Sequence, residues 1–489
     1  MKPPSCHEGQ KPATYHARVR GNGVVAAVVV AAVSLVGPAS GRMNDAASDS
    51  LIHADSARAA GFTGKGVTVA LLDTGIDDHN PDLADSVVAE HCFVPPDGCP
   101  DGTAEQDGPG SAQDNQGHGT EIAGLITGNG TTAPIGVAPD AKLVVVKVAD
   151  INGRTTSQQI MAGLTWVMRT HPEVRIVNVS LAGDILLSGR CDTLGPLVGY
   201  GAVVAALRAN GTLLFAPTGN SGSQFSISAP ACFHSAVAVG AVYAQTFGTY
   251  TVPGVCVDAA TIPDEVACFS NSSSELDLLA PGAPLVSTAL GGGRASFAGT
   301  SAASAEAAAA AAVVLQADPT LTADQLEAAL EKTGLPLADP KSNLLTPRLD
   351  VAAALVRVTG RPIPLITPPG AGTGSTPPPK LSAPTVPVAD LSLRPISFGS
   401  VRTDATARRS LRIHNSGNGY LNVRVGALPA PFSVRPSELV IRPGQRATLE
   451  LAFRPVRAGS YSRMLRLTTD DRTAAAIRIP LRGTGLLSR

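Results

Sequence analysis

From about residue 61 the chain alternates short, almost continuously apolar runs with longer stretches of small and mixed residues. VTVALL (67 to 72), LVVVKV (143 to 148), IVNVSL (176 to 181), LLFA (213 to 216) and AVAVGAV (236 to 242) have the length and β-branched content of strands. Their lack of polar alternation suits strands covered on both faces. Residues 157 to 169 and 197 to 208 read as crossover helices, and 302 to 315 as an alanine-rich helix able to approach its neighbours closely. Thr322 and Gln325 have the spacing of a capping box, which starts a further helix. This rhythm predicts an α/β domain built on a doubly wound, mostly parallel sheet. Residues 362 to 387 are rich in Pro, Gly and Thr, with too few periodic apolar positions to fold, which is the composition of a fairly stiff linker. Beyond it the pattern changes to short alternating runs (RSLRIHN, LNVRV, ELVIR, ATLELAF, MLRLTT, AAIRIPL), and these predict an all-β sandwich.

The N-terminus follows a different logic. Lys2, Lys11, Arg18 and Arg20 precede an uncharged run from Gly23 to Ser40, with Ala39, Ser40 and Gly41 offering small residues for cleavage. The strongly apolar part, Val24 to Val36, is shorter than the roughly 20 residues that cross a bilayer, so the segment reads as an export signal. The expected organisation is a signal over 1–41, a short extension over 42–60, the α/β domain over 61–358, the linker over 359–387 and the sandwich over 388–489. Six cysteines (Cys92, Cys99, Cys191, Cys232, Cys256, Cys268) all fall within the α/β domain. In an exported chain they suggest three disulfides, with Cys92–Cys99 and Cys256–Cys268 favoured by proximity, leaving Cys191–Cys232. Lys and Arg total 38 against 39 Asp and Glu, a balance that gives no global field for a polyanionic partner and argues against nucleic acid.

Three motifs carry chemistry. In LLDTGID (71 to 77) a buried strand ends at Asp73, and the carboxyl ends of strands in open α/β sheets face the ligand crevice. In DNQGHGTEIAG (114 to 124) His118 stands between two glycines where a small-residue helix begins. In FAGTSAASAEAAAAAA (297 to 312) Ser301 opens the alanine-rich helix, where a serine is usually a cap but the helix end would also favour a developing oxyanion. A serine hydroxyl needs a base to take its proton, and an imidazole needs a carboxylate to hold its tautomer. Asp, His and Ser supply those three roles.

With LDTGID, GHGT and GTSA in this order, residues 52 to 355 resemble the subtilisin-like serine proteases. The resemblance implies a catalytic triad of Asp73, His118 and Ser301. It also implies an oxyanion-hole amide from Asn220 in APTGNSG, and a substrate-pairing strand formed by Ser180, Leu181, Ala182 and Gly183. No cofactor is implied for catalysis. Asp82 in NPDL matches a ligand of a structural calcium in the family, so the resemblance allows a structural calcium here, with the other ligands unassigned. The chain departs from the family pattern at Ala302, Ala305 and Glu306 after the serine, at Glu121 after GHGT, at Ala182 in the substrate strand, and in having too few residues before the domain for a folding propeptide. ISFGSV, HNSGNGYLNVRV and LRGTG in the last hundred residues resemble the Ig-like sandwich of the abnormal-spindle and hydin type. The expectation is an exported serine endopeptidase, secreted or at the cell surface or in the periplasm, acting as a monomer on peptide or protein substrates and without a stable membrane span. The alternative is an inactive exported binding protein that works through its Ig-like domain.

Overall fold

The computed structural model describes residues 27–29, 47–342, 344–366, 388–392, 394–416, 421–426, 428–435, 438–441, 445–469 and 476–487. Most of the expected signal and most of the linker lie outside these residues. Within the signal segment only Ala27–Val29 is described, as a strand antiparallel to Arg154–Thr156.

A ten-stranded sheet organises the larger unit. Its order runs Leu335–Ala338, Leu345–Arg348, Leu278–Ala283, Ala236–Tyr243, Leu213–Pro217, Ile176–Val179, Thr68–Asp73, Lys142–Lys147, Val87–Phe93 and Glu105–Asp107. Pairing is parallel throughout except at the two edges, where the outermost strands turn back antiparallel. All five strands expected from apolar runs lie in its interior. Alternate side chains explain the unbroken apolarity: Val69, Leu71, Leu143 and Val145 enter the core on one face, and Ala70, Leu72, Val144 and Val146 the core on the other. Helices Ser157–Thr170 and Val198–Ala209 cover the second face through Ile160, Leu164, Val167, Val204 and Leu207. The first face is covered by His118–Thr127, Thr300–Ala317 and Val351–Thr359.

The helix Thr300–Ala317 is buried on every side from Thr300 to Leu315, which alanine permits because its methyl lets neighbours approach closely at no cost in helix propensity. The helix Ala323–Thr333 carries the full capping box of Thr322 and Gln325. The extension before residue 60 is more than a spacer: it folds into helices Ala47–Leu51 and Ala54–Ala59, buries Ile52, Ala54 and Ala57, and accepts a hydrogen bond on Ile52 from Val351 N at 2.8 Å. There Asp49 and Arg58 form a buried ion pair beside Glu306 of the alanine-rich helix. Disulfides join Cys92 to Cys99, Cys191 to Cys232 and Cys256 to Cys268.

The C-terminal unit is a sandwich. One sheet has the order Ala389–Leu391, Ala407–Asn415, Arg446–Phe453, Phe432–Arg435. The other runs Ile396–Arg402, Ala476–Leu486, Gly459–Thr469, Leu421–Val425, Glu438–Ile441. Phe398, Phe432 and Phe453 meet between them with Leu411, Leu449, Leu465 and Ile479.

Candidate active site

Asp73 is the last residue of a central strand and is completely buried. The chain then turns at Gly75, whose φ of 119° favours glycine and where a Cβ would lie 2.3 Å from the carbonyl oxygen of Ala112. The turn brings Gly75 against the helix that starts at His118. A Cβ on Gly119 would sit 2.0 Å from the oxygen of Gly75, so this glycine lets two backbones touch. Thr74 Oγ1 accepts from Gly119 N at 2.8 Å and fastens the same contact.

As a result His118 Nδ1 lies 2.7 Å from Asp73 Oδ1, with both side chains buried. The same Asp73 oxygen accepts from Thr74 N at 2.7 Å. Burial works against a charged imidazole, but the charge of Asp73 and its hydrogen bond outweigh it, and the His118 pKa lies above the ordinary histidine value. Phe297 meets the imidazole edge-on at 5.4 Å between ring centroids. Among the described residues His118 Nε2 has no hydrogen-bond partner. The ring is thus held at one nitrogen and buried without a partner at the other.

Ser301 is the second residue of the helix Thr300–Ala317, and Gly299 occupies the cap position, so Ser301 is not a capping serine. Its carbonyl accepts from Ser180 Oγ at 2.9 Å, Ser180 Oγ accepts from Asn178 Nδ2 at 2.7 Å, and Asn178 Oδ1 accepts from Ser304 Oγ at 2.8 Å. This buried chain ties the serine helix to the carboxyl end of the strand Ile176–Val179. Asn220 follows the strand Leu213–Pro217. Its Oδ1 accepts from Thr300 N at 2.9 Å and from Thr300 Oγ1 at 2.8 Å, while Thr300 Oγ1 also accepts from Gly219 N at 3.1 Å. Those bonds fix the amide so that Nδ2 faces the serine. A Cβ added to Gly299 would lie 2.9 Å from Ser301 Oγ and 3.3 Å from Asn220 Nδ2, so hydroxyl and amide border one small space that only glycine leaves free.

That space opens into a cleft of about 220 Å³ bordered by Ser180, Ala182, Gly183, Asn220, Thr300 and Ser301. Leu181 does not border it. Its side chain is fully buried in the core, because the alternation of an extended segment points it away from its two neighbours. Gly183 N donates to Ala229 O at 2.9 Å, which holds this segment in place.

The structure adds Lys147 and Asp114, which the sequence reading did not single out, and gives Glu121 a setting. Lys147 is completely buried at the end of its strand; its Nζ donates to Asn115 Oδ1 at 2.9 Å and to the carbonyl of Thr74. Burial lowers its pKa, while the nearby charges of Asp114 and Asp73 oppose that shift. Asp114 accepts from Gly117 N at 3.0 Å and from Thr120 N and Oγ1 at 3.0 and 2.7 Å, shaping the loop ahead of His118. The signal for Lys147 was a lysine inside an otherwise apolar strand. Glu121, one turn after His118, has its pKa pushed up to about 7, by burial first and by Asp114 and Asp73, against the lowering pull of His118.

The carboxylate of Asp82 is bound by donors of Thr132 and Ala133. Both carboxylate oxygens already accept hydrogen bonds, Oδ1 from Thr132 N at 2.9 Å and Oδ2 from Ala133 N at 3.1 Å and from the Thr132 hydroxyl. Neutral donors therefore satisfy this carboxylate, whose pKa they hold below the ordinary range against the effect of burial.

Comparison with known proteins places this geometry. Residues 64–350 match the model of the subtilase family, and residues 389–477 match the abnormal spindle-like microcephaly-associated (ASPM-SPD-2-Hydin) domain. Subtilisin of Bacillus pumilus is 34% identical over 285 residues, covering 58% of this chain and 89% of that protein. Subtilisin E of Bacillus subtilis is also 34% identical over 285 residues, and the match spans 64% of its length. Among solved structures, a protease from Pseudoalteromonas arctica PAMC 21717 shares the fold with a TM-score of 0.52 at 23% identity, over 63% of this chain and 94% of that one.

Proposed function

The chain belongs to the subtilase family, and from this premise we propose that it is an exported serine endopeptidase that uses Asp73, His118 and Ser301. The observation that carries the reading is the shared space beside Gly299, which Ser301 Oγ and Asn220 Nδ2 both border. Ser301 Oγ attacks the scissile carbonyl, and His118 Nε2, which has no protein partner among the described residues, takes the proton and later passes it to the leaving amine. Asp73 Oδ1 holds the Nδ1 proton, fixes the tautomer and stabilises the imidazolium. Asn220 Nδ2 and the backbone N–H of Ser301 receive the oxyanion. The bond between nucleophile and base need not be formed before substrate arrives, since such bonds tighten in the Michaelis complex. Substrate backbone pairs with Ser180 to Gly183, where hydrogen bonds to the main chain give affinity with little side-chain selection. Three disulfides support a working place outside the reducing cytoplasm, secreted, periplasmic or at the cell surface. A monomer with the domain limits expected from the sequence fits this reading.

Fluorophosphonate labelling of the chain lacking its first 41 residues tests the proposal. Labelling that disappears in Ser301→Ala is the expected result. A folded wild-type chain that stays unlabelled would instead favour the inactive binding protein.

A further inference from the structure

Asn220 can receive an oxyanion only if the main chain on either side of it stays in place, because its amide oxygen is tied to Thr300 while its nitrogen must stand beside Ser301 Oγ. The loop that carries it, residues 218–223, is gripped by one side chain from far along the sequence. Asn271 is completely buried, and among the described residues every hydrogen bond of its side chain goes to that loop. Its Nδ2 donates to Thr218 O at 3.0 Å, and its Oδ1 accepts from Ser221 N at 3.0 Å and from Ser223 N at 2.9 Å. The main chain of the same residue adds to the grip: Asn271 N donates to Gly219 O at 2.9 Å, and its carbonyl accepts from Thr218 Oγ1 at 3.0 Å. These partners flank Asn220 on both sides, and none is Asn220 itself. Gly219 makes the approach possible, since its φ of 103° favours glycine and a Cβ there would lie 2.5 Å from Asn271 Nδ2.

Asn271 is itself fastened to the sheet. Ser270 Oγ accepts from Ala241 N at 3.0 Å and Ala267 N donates to Ala241 O at 2.9 Å, which joins this segment to the interior strand Ala236–Tyr243. The disulfide Cys256–Cys268 closes on the same segment. We infer, on the protease reading proposed above, that Asn271 is the positioning residue of the oxyanion hole. It carries the rigidity of the sheet to residues 218–223 and so fixes where Asn220 Nδ2 stands when charge develops on the substrate carbonyl. Thr300 sets the rotation of the amide, and Asn271 sets the place of the main chain that bears it. A group displaced by about 1 Å costs on the order of 100-fold in rate, so loss of this clamp acts through Asn220.

A double-mutant cycle on the full chain lacking its first 41 residues tests this. Turnover is read on saturating fluorescein-labelled casein and counted per serine labelled to completion by a fluorophosphonate, so that only folded protein with a working nucleophile enters. Asn271→Ala is expected to lower turnover about 10- to 100-fold when Asn220 is present and less than about threefold in an Asn220→Ala background, because a clamp has nothing to position once the amide is gone. Asn271→Asp, which keeps the shape and an acceptor oxygen, serves the same cycle if the alanine variant does not fold. No loss, or equal losses in the two backgrounds, with turnover still dependent on Ser301, would overturn the positioning role and leave the protease reading standing. A folded wild type without Ser301-dependent turnover would overturn both.

Discussion

Glu306 allows a quantitative test of how the serine helix is built. It is 1% exposed, its Oε2 has no hydrogen-bond partner among the described residues, and burial followed by the charge of Asp49 pushes its pKa well above 4.5, against the lowering effects of Ser48 and Arg58. In the folded protein this carboxyl keeps its proton to a higher pH than in the unfolded chain. Between the two pKa values the native state holds one proton that the unfolded state has lost, so Glu306 makes stability fall with rising pH by about 1.4 kcal/mol per pH unit. Glu306→Gln removes that proton exchange and nearly preserves the shape. The variant should therefore gain on the wild type by about 1.4 kcal/mol for each pH unit above the unfolded value, for as long as the folded group keeps its proton. Glu121, Asp277 and Glu331 also have raised pKa values, but both proteins carry them, so they cancel in the difference. Urea unfolding in a Ser301→Ala background avoids self-cleavage, and Trp166, the only tryptophan in the chain, reports on the catalytic unit alone. Parallel stability curves for the two proteins across this pH range would refute the reasoning.

Further outcomes follow from the same geometry. Asn220→Ala should lower kcat by about 100- to 1000-fold with little change in KM, as loss of one oxyanion donor does; a change confined to KM would place Asn220 in substrate binding instead. The acid limb of kcat/KM should report His118 above pH 6.5, and Glu121→Gln, which removes a charge that favours the imidazolium, should move that limb to lower pH; an unmoved limb would dissociate Glu121 from the base. Opening Cys191–Cys232, whose partners are 41 residues apart, by double substitution to serine should cost about 4 kcal/mol on the chain-entropy account; denaturant titration followed at Trp166 checks it.

Interior strands were legible because burial on both faces removes polar alternation, as in Val69 to Leu72 and Leu143 to Val146. Strands toward the margin of the sheet were not. Val87–Phe93 carries Glu90 and His91, and Glu105–Asp107 is a three-residue polar run, so neither has the apolar content on which the reading relied. The motifs led to Asp73, His118, Ser301 and Asn220 because these residues sit where the chain turns sharply, and glycines mark those turns. Leu181 shows the limit of motif transfer: the segment borders the cleft, but pleating turns that one side chain into the core. Thr300, Asn178 and Lys147 escaped notice because their importance lies in which carbonyl or amide they meet, and those partners come from distant parts of the chain.

The dispersal of the site along the chain has a consequence for the cell that makes the protein. Asp73 ends one strand, Asn220 follows another, His118 starts a helix after a turn, and Ser301 enters on a helix that is buried against the first face of the sheet. No local segment contains a working pair, because even Asp73 and His118 meet only through the backbone contact at Gly75 and Gly119. If these residues act as proposed, activity waits on the folding of the whole sheet.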